Sequence, residues 1–556
     1  MQLVIAEKPS VAKSIADVLG ALDRQDGYFE GGGYLVSWCV GHLIELAEPE
    51  SYGEQWKKWT YESLPVNPEH WQYEIKEDTK EQYDVLYGLL HDSRVDEVVC
   101  ATDAGREGEL IFRLVYNMAS CKKPMKRLWI SSMEESAIRE GVENLKPGSD
   151  YDHLYHSALC RQEADWLVGI NGTRLFTVLY GGKVLKVGRV QTPTLAMLVE
   201  REAKIMNFKK EQYFMAHILC GGVDAVTERI DNKTEAENVA GACRNGQALV
   251  TSVEKEEKTV SPPKLYDLTT LQRDANRLFG FTAKQTLEYT QSLYEKKMCT
   301  YPRTDSQYLS DDMEQTAGNV IEAIFSSILF EENRMFNPDI KRVLNSKKVT
   351  DHHAIIPTEN IGNAVNMELT SDEKQILHLV IRRVLEALSA QYEYMDIEYV
   401  FDICGETFKL KQKKPVNLGW KALCPDDVEI PPEINCSEND TFYAEDIFVT
   451  EGETKPPKRY TESSLLKAME NIDRRIEDKE LSGYVSERGL GTPATRTAII
   501  EKILADGYAE RKNKVISATE MGIKMINFIP PEIKSVEMTA AMELQLAAIE
   551  NGPRQR

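Results

Sequence analysis

Two acidic stretches follow apolar runs early in the chain, and each has residue types that could hold a cation or handle a phosphate. Glu7-Lys8 follows the run QLVIA, and Asp103-Ala-Gly-Arg-Glu107-Gly-Glu109 follows VDEVVCAT. Carboxylates at the ends of two neighbouring strands can converge on one point. Glu7, Asp103 and Glu107 offer the hard oxygen donors that suit Mg2+, with waters completing an octahedron. Lys8 would add a positive charge for a phosphate. Either stretch alone reads more readily as a solvated polar loop or helix start. Their joint occurrence in one α/β region raises the chemical reading.

A third segment is Thr300-Tyr301-Pro302-Arg303-Thr304-Asp305-Ser306. It follows a helical pattern with Ala283, Leu287, Thr290, Tyr294 and Met298 on its apolar face. Pro302 disfavours helical geometry at Tyr301 and ends the helix before it. A tyrosine is a nucleophile when its proton is taken and the developing charge is stabilised. Arg303 could clamp phosphate oxygens. A lone tyrosine at a helix end more often simply packs. A fourth segment, Asp351-His352-His353-Ala-Ile-Ile-Pro357-Thr, holds adjacent histidines. Neighbouring side chains point apart, which favours a structural or phosphate-contacting role over a shared metal.

Basic residues gather in two places. Residues 172–191 carry Arg174, Lys183, Lys186 and Arg189 and no acid, and residues 264–303 carry seven basic and four acidic residues. These tracts are candidates for a groove that tracks a nucleic-acid backbone with aromatic residues beside it. An ordinary solvated basic surface is the plainer alternative. Gly489-Leu-Gly-Thr-Pro-Ala-Thr-Arg496 precedes a helical pattern and a hairpin, YAERKNKVISAT, an order that suggests a winged helix.

The elements that must position these groups follow from periodicity. Residues 1–150 alternate short apolar strands with helices, which predicts a mostly parallel sheet with functional groups at the C-terminal strand ends. Pro9 marks a helix start and Gly20 its stop. Residues 151–212 read as helical, 213–262 as β-rich, 264–391 as helical, 392–450 as β-rich, and the part after Pro456-Pro457 as helical. That order suggests excursions out of one module and back.

Composition limits the alternatives. The chain has 556 residues, a net charge of −22 and 42% hydrophobic residues. Its length suggests about four domains. No apolar run is long enough to span a membrane, and the start lacks the basic n-region of a signal peptide. Ten scattered cysteines without a C-x-x-C pair predict a reduced, cytoplasmic protein with no zinc ribbon after Cys436. No P-loop motif supports an ATP-driven engine. The acidity weighs against an indiscriminate nucleic-acid binder, although it permits a local basic groove.

Taken together, the chain resembles the type IA DNA topoisomerases, and within them the bacterial topoisomerase III group. The motifs AEKPS, TDAGREGE, KVGRVQTPTL, LYDLTTLQRDAN, TYPRTDS, DHHAIIPT, PPKRYTESSLLKAME and GLGTPATR occur in the family's order. The resemblance implies a multidomain fold, α/β with mainly-α and β-rich parts, in which a Toprim domain joins a toroidal core. The implied division is a Toprim catalytic and metal domain at 1–150, and a helical single-strand groove domain from 151–212 and 456–556. A β-rich hinge arch comes from 213–263 and 392–455, and a helical gate domain at 264–391 carries the tyrosine.

The resemblance also implies a chemistry. Tyr301 would attack single-stranded DNA to give a 5′-phosphotyrosine link, without ATP. Glu7 would act as acid and then base, Lys8 and Arg303 would stabilise the transition state, and His352 would contact the phosphate. Glu7, Asp103 and Glu107 would hold Mg2+. Arg161, Asp165, Arg189, Gln191 and Thr192 match family groove positions, with Lys186 and Arg496 as further candidate DNA contacts. The family's acidic motif is often D-x-D-x-E, whereas Gly105 stands at its centre here, which predicts looser Mg2+ binding. The implied partners are single-stranded DNA, a RecQ-type helicase and a single-strand-binding protein, for an enzyme that relaxes or decatenates DNA as a monomer. Family members often continue into zinc ribbons or basic tails, which are absent from a sequence ending in ENGPRQR. The competing readings are another Toprim enzyme, a nuclease or primase, and an inactive single-strand-binding paralogue. Tyr301 in its TYPRTDS context discriminates against both.

Overall fold

The structure is a computed structural model describing residues 1–552 except 131, 132, 134, 221, 328–336, 350, 351, 425, 426, 487 and 488. Asp351 of the DHHAIIPT segment and the last four residues of ENGPRQR lie outside the described residues.

The first part is built on one seven-stranded sheet. Its strands are β1 (Gln2–Ala6), β2 (Asp23–Gln25), β3 (Tyr28–Gly31), β4 (Tyr34–Trp38), β5 (Glu97–Ala101), β6 (Met125–Arg127) and β7 (Lys146–Pro147), in the order β2-β3-β4-β1-β5-β6-β7. β1 runs parallel to both β4 and β5. A central parallel strand is covered on both faces, so it needs apolar residues at successive positions rather than alternation. Leu3 and Ile5 pack with Leu86 and Leu90 of α2 (Lys80–His91) and Phe112 and Val115 of α3 (Arg106–Met118). Val4 and Ala6 pack on the opposite face with Ala12 and Ile15 of α1 (Pro9–Leu19). Pro9 opens α1, and Gly20 closes it at φ +75°, with its N–H bonded to the carbonyl of Ala16. Both signals were legible in the sequence.

Beyond this sheet come two long helices, α4 (Asp152–Tyr180) and α5 (Gln191–Met206). A second seven-stranded sheet follows. It takes β8 (Gln212–Cys220), β9 (Val223–Val226) and β10 (Gln247–Val260) from one stretch of chain, with α6 (Lys233–Ala242) between β9 and β10. The expectation of a β-rich 213–262 did not include α6. Its N-cap, Asn232, accepts from the amides of Thr234 and Glu235.

The chain then leaves for a helical region containing α7 (Leu268–Phe279), α8 (Ala283–Glu295), α9 (Glu314–Ser326) and α10 (Ser371–Leu388). It returns as β11 (Tyr392–Ile403), β12 (Glu406–Asn417), β13 (Thr441–Tyr443) and β14 (Asp446–Glu453), giving the sheet order β13-β10-β11-β12-β9-β8-β14. Val260, the last residue of β10, pairs with Tyr392, the first of β11. The helical region therefore hangs from two adjacent strand ends. It has its own core, including Leu268, Leu271, Ile321, Ile376 and Val380.

The last part contains α11 (Glu462–Glu470), α12 (Pro493–Ala505), α13 (Glu520–Phe528) and α14 (Val536–Glu550). A small sheet of β15 (Tyr460–Thr461), β16 (Ala509–Lys512) and β17 (Val515–Ala518) completes the helix-plus-hairpin unit read from the sequence. These elements share a core with α5 through Leu195, Leu198, Leu466, Ile500 and Met525. No helix among the described residues is long and apolar enough to cross a membrane.

Candidate active site

Parallel pairing of β4, β1 and β5 brings their C-terminal ends to one edge of the first sheet. Glu7-Lys8 follows β1, His42 lies four residues past β4, and Asp103 lies two past β5. The Asp103 amide donates to Glu7 Oε2 at 3.3 Å, which ties the two loops together. Gly108 in the first turn of α3 has a physical reason. A Cβ there would run into the carbonyl oxygen of Asp103, so only glycine lets the helix start this close to the loop.

Tyr301 arrives from the helical region. Its segment is zipped to the one carrying the histidines: Thr300 N–H donates to Ile356 O at 2.9 Å, and Thr304 Oγ1 donates to His352 O at 2.8 Å. Leu268 N–H also donates to Thr304 O at 3.1 Å. Three motifs far apart in sequence thus form one platform.

Lys8 is the junction between that platform and the first sheet. Its Nζ donates to Asp103 Oδ2 at 2.8 Å and to Tyr301 Oη at 2.7 Å, and lies 3.4 Å from Glu7 Oε1. The same ammonium sits 4.3 Å from the Tyr301 ring centroid. His352 Nε2 lies 3.4 Å from Asp103 Oδ2, and its ring leans on Tyr301 with centroids 4.5 Å apart. Tyr294 meets the Tyr301 ring edge-on, with centroids 5.4 Å apart. The Arg303 guanidinium donates to Gln291 Oε1 at 3.1 Å.

The electrostatics follow from this packing. Burial and the neighbouring Asp103 carboxylate raise the pKa of Glu7 above the usual carboxylate range. Burial opposes the charge on Lys8, but Asp103, Glu7 and Tyr301 outweigh it and hold the ammonium protonated. For Asp103, burial is likewise outweighed, here by His352 and Lys8, and the carboxyl is held far below its ordinary value. One edge thus holds a carboxyl that keeps its proton more readily than usual, beside a fixed cation and a fixed anion.

The three expected metal ligands do not come together as one set. Glu7 and Asp103 adjoin, but Glu107 turns to His42, with Nε2 and Oε1 2.6 Å apart. That contact pulls the Glu107 pKa down against the effect of burial. Among the described residues, no group of three or more His, Cys, Asp or Glu is spaced to hold a metal ion. Lys8 fills the space between Glu7 and Asp103. The donor chemistry still fits a hard, largely hydrated cation, because Asp103 and Glu107 are carboxylates on one loop and Gly105 between them adds no bulk.

Several expected DNA contacts are placed elsewhere. Arg189, Gln191, Thr192 and Arg496 are all buried and have partners within the protein. Arg189 donates to Asp165 Oδ1 at 2.6 Å and to Glu543 Oε1 at 2.9 Å. Gln191 donates to Asp506 Oδ2 at 3.0 Å. Thr192 Oγ1 accepts from Gly188 N–H at 3.1 Å and closes the turn before α5. Arg496 donates to Thr269 Oγ1 of α7 at 3.0 Å, so it braces the helical region against α12.

The basic tract at 172–191 is likewise not a free cationic surface. Arg174 is buried and paired with Glu50 at 3.0 Å, and Lys186 pairs with Asp506 at 2.7 Å. Arg161 and Asp165 remain partly exposed on α4. Sequence reasoning gave no place at the site to His42, Gln291, Arg106 or Glu543, and read Tyr294 only as part of the apolar face of its helix. Only His42 had a usable signal, because it too follows an apolar strand of the first sheet.

Comparison with known proteins gives the family. A DNA topoisomerase family model matches residues 149–556 and a Toprim domain model matches residues 2–133. The protein called DNA topoisomerase 3 in Bacillus licheniformis is 40% identical over 99% of this chain and 78% of its own length. Its namesake in Bacillus subtilis is 39% identical over the same shares. Full-length topoisomerase I from Thermotoga maritima superimposes with a TM-score of 0.73, covering 100% of this chain and 87% of that one at 24% identity, which speaks for the fold. A Toprim sheet that carries the acidic loops, a family match over most of the remaining chain and these relatives lead to one assignment: the chain belongs to the type IA DNA topoisomerases, in the topoisomerase III group.

Proposed function

We propose that Tyr301 is the nucleophile of a cycle that cuts and rejoins one strand of DNA. The observation that carries this reading is Lys8, whose ammonium bonds both the Tyr301 hydroxyl and Asp103. A fixed cation at the nucleophilic oxygen also faces the phosphate that this oxygen attacks and offsets the charge that builds up there. Tyr301 Oη releases its proton to solvent and bonds to phosphorus as the bond to the 3′ oxygen breaks. The departing 3′ oxygen takes a proton from Glu7, whose raised pKa suits that task. Rejoining runs the same steps backwards, with Glu7 accepting the proton. The phosphodiester energy stays in the 5′-phosphotyrosine bond, so no ATP is needed.

His352 and Arg303 bind the phosphate in this reading, Arg303 after leaving Gln291. Asp103 and Glu107, with Glu7, would hold Mg2+ once Glu107 leaves His42, and a bound Mg2+ would supply further positive charge beside the backbone. Residues 1–150 act as the Toprim part. Residues 264–391 act as the gate, hung on an arch of 213–263 and 392–455 and seated on 151–212 and 456–556, around a central hole. Substrates are single-stranded regions of DNA in the cytoplasm, opened by a RecQ-type helicase and kept open by a single-strand-binding protein. The protein works as a monomer, and decatenation is favoured over bulk relaxation.

Covalent trapping tests the core of this reading. Oligonucleotides labelled at either end are incubated with protein and Mg2+ and then denatured. Label carried to the protein only from the piece downstream of the cut, and lost in Tyr301→Phe, is the expected result. Cut DNA without an adduct would point to a nuclease instead. Titrating Mg2+ against plasmid relaxation tests the metal, and full activity in excess chelator would overturn it.

A further inference from the structure

Three arginines from distant parts of the chain converge on one carboxylate of the last helix. Glu543, on α14, has its Oε1 2.9 Å from Arg189 and 3.8 Å from Arg161, and its Oε2 3.4 Å from Arg106. Arg106 lies three residues past Asp103, Arg161 lies on α4, and Arg189 precedes α5. The cluster therefore begins on the active-site loop itself.

Several guanidiniums around one anionic oxygen group are what a backbone phosphate requires. Glu543 supplies a planar carboxylate where such a phosphate would sit. The cluster is also close to electrically neutral. Arg106, Arg161 and Arg189 face Asp165, Glu543 and Glu550, the last 3.8 Å from Arg106. Burial works against the Glu543 charge, and the three arginines overcome it and hold the carboxylate ionised. Arg189 is almost wholly enclosed, whereas the side chains of Arg106, Arg161 and Glu543 are 20%, 20% and 17% exposed. An incoming phosphate can thus reach Arg106 and Arg161, and Arg189 keeps Asp165.

We propose that the Glu543 carboxylate is an internal competitor for a backbone phosphate of single-stranded DNA, holding Arg106 and Arg161 until the strand displaces it. The proposal rests on the single-strand reading above and adds the group that the strand must displace. α14 does not depend on Glu543 for its place. Thr539 Oγ1 donates to Arg189 O at 2.8 Å, and Ser157 Oγ donates to Leu546 O at 2.9 Å. Neutralising the carboxylate should therefore free the arginines without undocking the helix.

Glu543→Gln tests this, because it keeps shape and hydrogen bonding and removes the charge. The measurement is fluorescence anisotropy of a labelled oligothymidylate against protein at several KCl concentrations. The expected result is binding about five- to tenfold tighter than wild type. The slope of log K against log salt should stay within about 0.7 of wild type, the value for one phosphate on a single strand, because both proteins neutralise the same phosphates once bound. If Glu543→Gln does not fold, Glu543→Asp keeps the charge, withdraws it by one methylene and is expected to bind about twofold tighter. Salt-dependent binding by wild type with equal or weaker binding by the folded variant would overturn the proposal and leave the single-strand reading standing. Absence of binding by both proteins would overturn both.

Discussion

Lys8 holds the two halves of the active site together, so single residues there have sharp expected consequences. Lys8→Ala removes the cation at the Tyr301 hydroxyl and should slow single-turnover cleavage of an oligonucleotide by about 10²–10³-fold. Strand binding should change far less, because Lys8 is one contact among many; equal losses in both would assign Lys8 to binding. Gly108→Ala acts through the backbone. The added methyl group meets the Asp103 carbonyl oxygen, so either the loop or the start of α3 must move. A loss of about 1–3 kcal/mol is expected from such overpacking. Denaturant melts and adduct yield check it together, with both falling.

At the level of elements, the helical region depends on caps that also tie its helices together. Thr370 caps α10 in a reciprocal box: Glu373 N–H donates to Thr370 Oγ1 at 3.2 Å, and Thr370 N–H donates to Glu373 Oε2 at 2.7 Å. Glu373 also accepts from Ser292 and Lys296, at 2.5 and 2.7 Å, which joins α10 to the end of α8. Burial disfavours its charge, but Lys296, Ser292 and the Thr370 amide prevail and bring its pKa down to about 2. A carboxyl lowered in the folded state contributes stability that is complete above its ordinary value and lost as pH falls towards the folded one. The denaturation midpoint should therefore drop between about pH 5 and pH 2. Glu373→Gln should flatten that dependence, and an unchanged pH profile would count against this assignment. Thr370→Ala should cost about 1 kcal/mol by loss of the cap.

For the whole molecule, the proposed gate role requires the helical region to be held shut and still be able to lift. It hangs from the paired ends Val260 and Tyr392 and rests on the last part of the chain. One clasp there is the ion pair from Arg273 of α7 to Glu470 of α11 at 2.8 Å. Both side chains are partly exposed, so the pair contributes about 0.5–1 kcal/mol to the closed state. Arg273→Ala should speed decatenation of linked DNA circles about two- to fivefold where opening limits the rate. Oligonucleotide cleavage, which needs no opening, should stay within about twofold. Equal effects on both assays would mean that Arg273 acts on chemistry instead.

The sequence by itself determined the local elements and the identity of the chemical groups. The apolar run of β1, the Pro9 and Gly20 boundaries of α1 and the hairpin after α12 follow from short-range rules, whereas Glu7, Lys8, Asp103 and Tyr301 stand out as a set through the family resemblance of their motifs. Those rules act over a few residues, where periodicity and φ preferences decide the outcome. Pairing between charged groups is decided over hundreds of residues. Arg189 and Arg496 look like DNA ligands in sequence because a cation near a family motif suggests a phosphate. Folding buries both, and a buried guanidinium must find acceptors inside the protein. Arg189 finds Asp165 and Glu543, and Arg496 finds Thr269. Glu107 reads as a metal ligand along the chain, and only the fold shows that β4 brings His42 beside it. The tertiary structure alone decided which charges face an incoming strand and which already have a partner, because burial and partner geometry do not exist along an unfolded chain.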